Sequence, residues 1–147
     1  MYKRHISIAP MMGKTDQDFI YLMKLITNKT NIFTEMIHTN AIIKGNKLKN
    51  YKCLNKENVT LQIAGNEPLK MAIAAEIAEN EGFKEININC GCPSPKVKSG
   101  SFGISLLLNP NLVAECIQKI KSSVKIPVSI KTRIGVDEND GESVLFN

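Results

Sequence analysis

The stretch with the most chemistry in this sequence is Cys90-Gly91-Cys92-Pro93-Ser94, which directly follows the alternating segment Glu85-Ile86-Asn87-Ile88-Asn89. Alternation at period two reads as a β-strand, with Asn87 and Asn89 on one face and Ile86 and Ile88 on the other. The cysteines then stand on a loop at the C-terminal end of that strand. A Cys-x-Cys pair can hold a metal, but no second Cys or His pair has ligand spacing and His5 and His38 are remote in sequence, so no metal site is expected. Proton donation fits the loop better. An ordinary thiol titrates near 8.5 and is mostly protonated at neutral pH, whereas a nucleophile would need a depressed pKa. A buried amide without partners costs about 1–3 kcal/mol, so Asn87 and Asn89 on one face call for a ligand or a polar network. Lys131 and Arg133 share a face by the same period, and two converging cations call for an anion or an electron-rich ring, the alternative being a surface salt bridge. A unit charge pair at 4 Å is worth about 4 kcal/mol at an effective dielectric near 20, enough to stabilise an anionic ring appreciably.

These residues need elements to hold them. Residues 5–10 read as a short strand, followed by a turn at Gly13 and a helix opened by Thr15, with Asp16 and Asp18 in its first turn and Phe19, Leu22, Met23 and Ile26 as its apolar face. Residues 31–36 read as a second strand, and a long lysine-rich connection runs to Asn58. Residues 59–64 form a third strand closed by Gly65, and Asn66 and Pro68 open a helix through Leu69, Ile73 and Ile77 that Gly82 ends. The strand at 85–89 leads into the glycine-rich segment 91–103. A helix opened by Asn109 and Pro110 follows, with Val113, Cys116, Ile117 and Ile120 on one face, then a fifth strand at 127–133 and an acidic tail at 137–142.

Strands alternating with helices argue for parallel βαβ units. No G-x-G-x-x-G follows the first strand, as a doubly wound dinucleotide-binding sheet would have. Polar residues stand instead at several strand C-termini: Glu35, Gln62, Asn89, Lys131 and Arg133. Barrel enzymes place their chemistry there, so the expected fold is α/β, of the (β/α)₈ TIM-barrel type, with about five βα strands of its N-terminal part.

The 147 residues, 43% hydrophobic and 22% charged, suit one globular domain and argue against disorder. No apolar run reaches the roughly 18 residues that span a bilayer, and nothing suggests secretion, so a soluble protein with four free thiols is expected, cytoplasmic or organellar. A net charge of +5 permits a polyanionic partner, although a bias towards Asn and Lys codons would also produce it. Lys44, Lys47, Lys49, Lys52 and Lys56 are the most local excess, either a solvated loop or a set of phosphate contacts.

Taken in order, Ala9-Pro10-Met11-Met12 with Thr15-Asp16, Thr34-Glu35-Met36, Leu61-Gln62, Asn87 to Ser94, and Ile130-Lys131-Thr132-Arg133 resemble the tRNA-dihydrouridine synthases. The resemblance covers roughly residues 5–140, and the segments 34–44 and 131–137 are most similar to the A-type subfamily, which modifies D-loop uridines. It implies an FMN-dependent oxidoreductase that reduces uridine in tRNA to 5,6-dihydrouridine, with NADPH reducing the flavin. Pro10, Met11 and Met12 would line the flavin, and Gln62 and Lys131 would hydrogen-bond its ring. Asn89 and Arg133 would contact the target uracil. Hydride would pass to C6 of the ring, and Cys92 would be the acid that protonates C5. Cys90, where the family has a hydrophobic or aromatic residue, and Ile104, where it has alanine, depart from the pattern. Residues 1–147 are expected to be the N-terminal portion of an FMN-binding barrel domain, without the later strands, the FMN phosphate loops or the helical tRNA-binding domain. Such a half-barrel would tend to self-associate. Two other readings remain: a dihydroorotate dehydrogenase-like FMN barrel, which shares the flavin–lysine logic but not the Gly-Cys-Pro-Ser loop, and an inactive truncated half-barrel.

Overall fold

The computed structural model describes residues 6–135, the side chains of Lys96 and Lys98 excepted; the expected acidic tail at 137–142 lies outside them. In chain order the elements are β1 (Ser7–Ile8), α1 (Gln17–Ile26), β2 (Asn31–Phe33), β3 (Ile37–His38), α2 (Thr39–Ile43), β4 (Val59–Ala64), α3 (Pro68–Asn80), β5 (Glu85–Asn89), α4 (Pro95–Ser99), α5 (Pro110–Ser123) and β6 (Val128–Lys131), with 3₁₀ turns at Lys47–Tyr51 and Gly103–Leu108. All strand pairs are parallel, in the order β1-β2-β4-β5-β6, and β3 pairs with the far end of β4. Spatial order therefore follows chain order without the reversal of a doubly wound sheet, which makes this half of a (β/α)₈-like barrel, as expected.

The expected strand at 31–36 ends at Phe33 in β2, and the sheet resumes only in β3, because Glu35 and Met36 leave the ladder, while the Thr34 N–H still donates to Thr60 O at 3.0 Å. Thr34 stays tied to the sheet through its hydroxyl, which accepts from the Gln62 N–H at 3.1 Å. The lysine-rich connection is more structured than its composition suggests. It contains α2 and a 3₁₀ turn whose Leu48 and Tyr51 are buried, with Tyr51 edge-on to Phe83 at 6.0 Å between centroids. Lys56 is buried over the Phe83 ring, and Lys47 pairs with Glu35 at 3.3 Å, so only Lys44, Lys49 and Lys52 of the run remain exposed and unpaired among the described residues.

Helix starts follow local chemistry. Asp16 caps α1 by accepting from Phe19 N at 3.0 Å, and Asn109 caps α5 by accepting from Leu112 N at 3.1 Å, each satisfying an amide that the helix leaves open. The buried faces are less obedient to hydrophobicity. In α1 Ile20 is buried, while Leu22 and Ile26 of the expected face are exposed. In α3 the buried residues are Met71, Ala72, Ala74, Ala75 and Ala78, and Leu69 (66% exposed) and Ile73 (45%) point outward. Small residues let α3 lie close to the sheet and to α5, where a leucine would not fit. In α5 Cys116 and Ile120 are buried, with Val113 and Ile117 half-buried, as their spacing predicts.

Candidate active site

Period-two alternation and parallel register set the inner face of the half-barrel. Gln62 lies opposite Asn87, Asn87 opposite Ser129, and Asn89 opposite Lys131, so β4, β5 and β6 present one continuous polar surface. On the opposite face Leu61, Ile63, Ile86 and Ile88 of β4 and β5 are buried in the core, while Ile130 of β6 is 44% exposed. At the C-terminal ends of the strands this surface opens into a cleft of about 400 Å³. Of the residues singled out by sequence, Pro10, Met12, Gln62, Asn89, Cys92, Lys131 and Arg133 line it; Met11 lies on the same loop, 42% exposed, and does not. Met36 and Thr132 line it too and were missed, although both stand at strand ends beside residues the sequence reading chose.

The loop bearing Cys92 is held from several sides. Asn89 Oδ1 accepts from the backbone N–H groups of Gly91 and Cys92, at 3.2 and 3.0 Å. Cys90 N donates to Lys131 O at 2.9 Å, and Ile104 N donates to Cys92 O at 3.1 Å. Gly103 has φ +61°, and a Cβ there would meet Val97 Cγ1 at 2.3 Å and Cys92 O at 2.9 Å, so no side chain fits this approach. Cys92 is thereby placed half-exposed on the cleft, its Sγ 3.7 Å from Ser94 Oγ. Cys90 points the opposite way, into the core beside Cys116. Burial, and to a lesser degree Cys116, pushes its thiol up to about 12, and burial pushes Cys116 to about 11, so both are protonated core residues.

The loop at 10–13 is pinned by residues whose role the sequence did not reveal. Thr15 Oγ1 accepts from Met11 N at 2.9 Å, and the carboxylate of Glu35, 8% exposed, accepts from Gly13 N at 2.9 Å while pairing with Lys47. Glu35 was read as a strand-end polar residue; its partner 22 residues away is a tertiary fact. Asn87 proves to be network, donating to Ser129 Oγ at 3.0 Å and accepting from Gln62 Nε2 at 2.7 Å. Asn89 both supports the loop and lines the cleft. Among the described residues no group of three or more His, Cys, Asp or Glu side chains is placed to hold a metal ion, and no helix is long and apolar enough to cross a membrane.

An apolar wall of Pro10, Met12 and Met36 thus faces amide and cationic donors, with a thiol at the edge. Such a lining suits a flat ring bearing acceptor atoms, and it stands at the strand C-termini of a parallel βα half-barrel, where barrel enzymes place their chemistry. Comparison with known proteins agrees. The family model described as dihydrouridine synthase (Dus) matches residues 7–146, and the chain belongs to that family. Over 141 residues it is 43% identical to a tRNA-dihydrouridine(20/20a) synthase of Salmonella typhimurium, a match covering 95% of this chain and 42% of that protein. A protein of the same name from Synechocystis is 43% identical over 144 residues, covering 97% and 43%. One from Shewanella oneidensis is 42% identical over 144 residues, covering 97% and 42%. The chain spans less than half the length of these curated relatives.

Proposed function

We propose that the protein carrying these residues reduces uridine to 5,6-dihydrouridine in the D loop of tRNA, with FMN as cofactor and NADPH as reductant, as an A-type member of its family. The observation that carries this reading is the convergence of Gln62, Asn89, Cys92, Lys131 and Arg133, from three strand ends, on one cleft walled by Pro10 and Met12. The donor set suits FMN: a flavin ring offers carbonyl and ring-nitrogen acceptors to the Gln62 amide and the Lys131 ammonium, and an apolar face to Pro10 and Met12. Bound and reduced, FMN supplies the hydride. Cys92 holds at Sγ the proton that the uracil takes up, and Asn89 and Arg133 bind the uracil, which must be turned out of its stack and is more easily reached in a loop than in a duplex. The names of the relatives, which specify positions 20 and 20a, support the same positions here. Lys44, Lys49 and Lys52 are exposed and suit the phosphate backbone of tRNA.

The division of labour between the two cations tests the reading on the natural-length protein. Lys131→Met is expected to weaken FMN binding about tenfold or more, the loss of one charge-assisted hydrogen bond. Arg133→Met should leave FMN affinity alone and raise KM for tRNA. Two variants with the same FMN affinity would contradict the assignment.

A further inference from the structure

The polar side chains inside the half-barrel form one unbroken line, and chemistry fixes its direction. At the top, the Gly91 and Cys92 N–H groups can only donate, so Asn89 turns its oxygen to them, at 3.2 and 3.0 Å. Its nitrogen must then donate to Gln62 Oε1, at 2.9 Å, and Gln62 Nε2 donates to Asn87 Oδ1, at 2.7 Å. Asn87 Nδ2 donates to Ser129 Oγ, at 3.0 Å. At the bottom, Ser129 gives its proton to Glu85 Oε1, at 2.6 Å; the other group within reach is the Ile86 carbonyl, at 3.5 Å, which likewise only accepts. Glu85 also collects the hydroxyl of Thr60, at 3.0 Å. A carboxylate only accepts. Both ends of the line therefore impose the same direction, and no amide in it is free to flip.

We propose that Glu85, remote from the cleft, is a positioning residue: through Ser129 and Asn87 it closes the lower end of the line and, with the Gly91 and Cys92 N–H groups at the upper end, holds the Gln62 amide so that nitrogen, and not oxygen, is what Gln62 offers a ligand. Each of the Gln62 and Asn89 nitrogens carries a second hydrogen with no protein partner among the described residues, and both side chains line the cleft. Together with Lys131 and Arg133 they make that side of the cleft a surface of donors, selective for ring carbonyls and unprotonated ring nitrogens over rings that present N–H groups. Which ring fills it rests on the function proposed above; the direction of the line does not.

The test uses the natural-length protein. Selective ¹⁵N labelling of glutamine side chains, without ligand, reports Gln62 directly. Glu85→Gln removes the acceptor-only end at constant size and is expected to shift or split the Gln62 amide signals, whereas Thr60→Val, which touches Glu85 off the line, should leave them in place. If Glu85→Gln fails to fold, Ser129→Ala cuts the line one link higher and is expected to act alike. Unchanged Gln62 signals would overturn the proposal. With FMN as probe, Glu85→Gln should lower affinity about 2–10-fold, the range of one hydrogen bond, and should have no effect in a Gln62→Met background. An equal loss in both backgrounds would also overturn it. Failure of the unmutated protein to bind FMN would sink the functional reading while leaving the amide signals to decide this one.

Discussion

At the scale of single residues, Cys90 and Cys92 show how two positions separate opposite chemistries. Cys92 stands half-exposed on the cleft with Ser94, while Cys90 is 1% exposed in the core with its thiol pushed up to about 12 from an ordinary value near 9. Between those values the folded chain keeps a proton that the unfolded chain has lost, so stability that is complete below pH 9 declines as pH rises towards 12. Thermal unfolding followed from pH 8 to 11 should show this fall. Cys90→Val should lessen it, Cys116 and Tyr51 keeping the rest because burial raises their pKa values too, at a cost below about 1.5 kcal/mol near neutrality because volume and apolarity are nearly kept. An unchanged alkaline slope in that variant would remove Cys90 as its source. Strand alternation made the inward facing of Cys90 legible in the sequence, since it continues the face of Ile86 and Ile88; the same period would put Cys92 on that face too, and the turn of the loop that brings Cys92 to the cleft was not legible. The double role of Asn89 was not legible. Nor was the grip of Glu35 on Gly13, which joins segments 22 residues apart and leaves no local pattern.

At the scale of elements, all five expected strand positions and the three long helices are present, because alternation, caps and glycine stops are local signals. The expected face of α1 was partly misread, and the apolar residues that marked α3 are not the ones it buries. Hydrophobicity marks what a residue prefers, and the width of the gap decides what it can do. In α3 the gap against the sheet and α5 admits alanine, so Leu69 and Ile73 turn outward and Ala74, Ala75 and Ala78 are fully buried. Ala75→Leu should therefore cost about 1–3 kcal/mol by overpacking, and Ile73→Gln less than about 0.5 kcal/mol, as measured by urea denaturation. The reverse order would mean that the helix is rotated from the orientation described. The lysine-rich connection hid its elements because Leu48 and Tyr51, which anchor it, are isolated apolar residues in a polar stretch with no period to detect.

At the scale of the molecule, the barrel is open. Among the described residues β1 pairs only with β2 and β6 only with β5, and α1 exposes Tyr21, Leu22, Leu25 and Ile26 along one side. Unpaired parallel edges and an uncovered apolar strip favour association. Expressed alone, residues 1–147 are expected to form dimers or larger species in light scattering and to bind FMN weakly; a cooperatively melting monomer would show that the half-barrel closes its own edges. The proposed function rests on Cys92 giving a proton to a uracil held in the cleft. The direct measurement is nucleoside mass spectrometry of unmodified tRNA after incubation with FMN, NADPH and either the natural-length protein or its Cys92→Ala variant. The unmutated protein should form dihydrouridine, and the variant should keep its flavin yet form dihydrouridine about 10²–10⁴-fold more slowly. Dihydrouridine formed at equal rates by both, or by neither, would contradict the account.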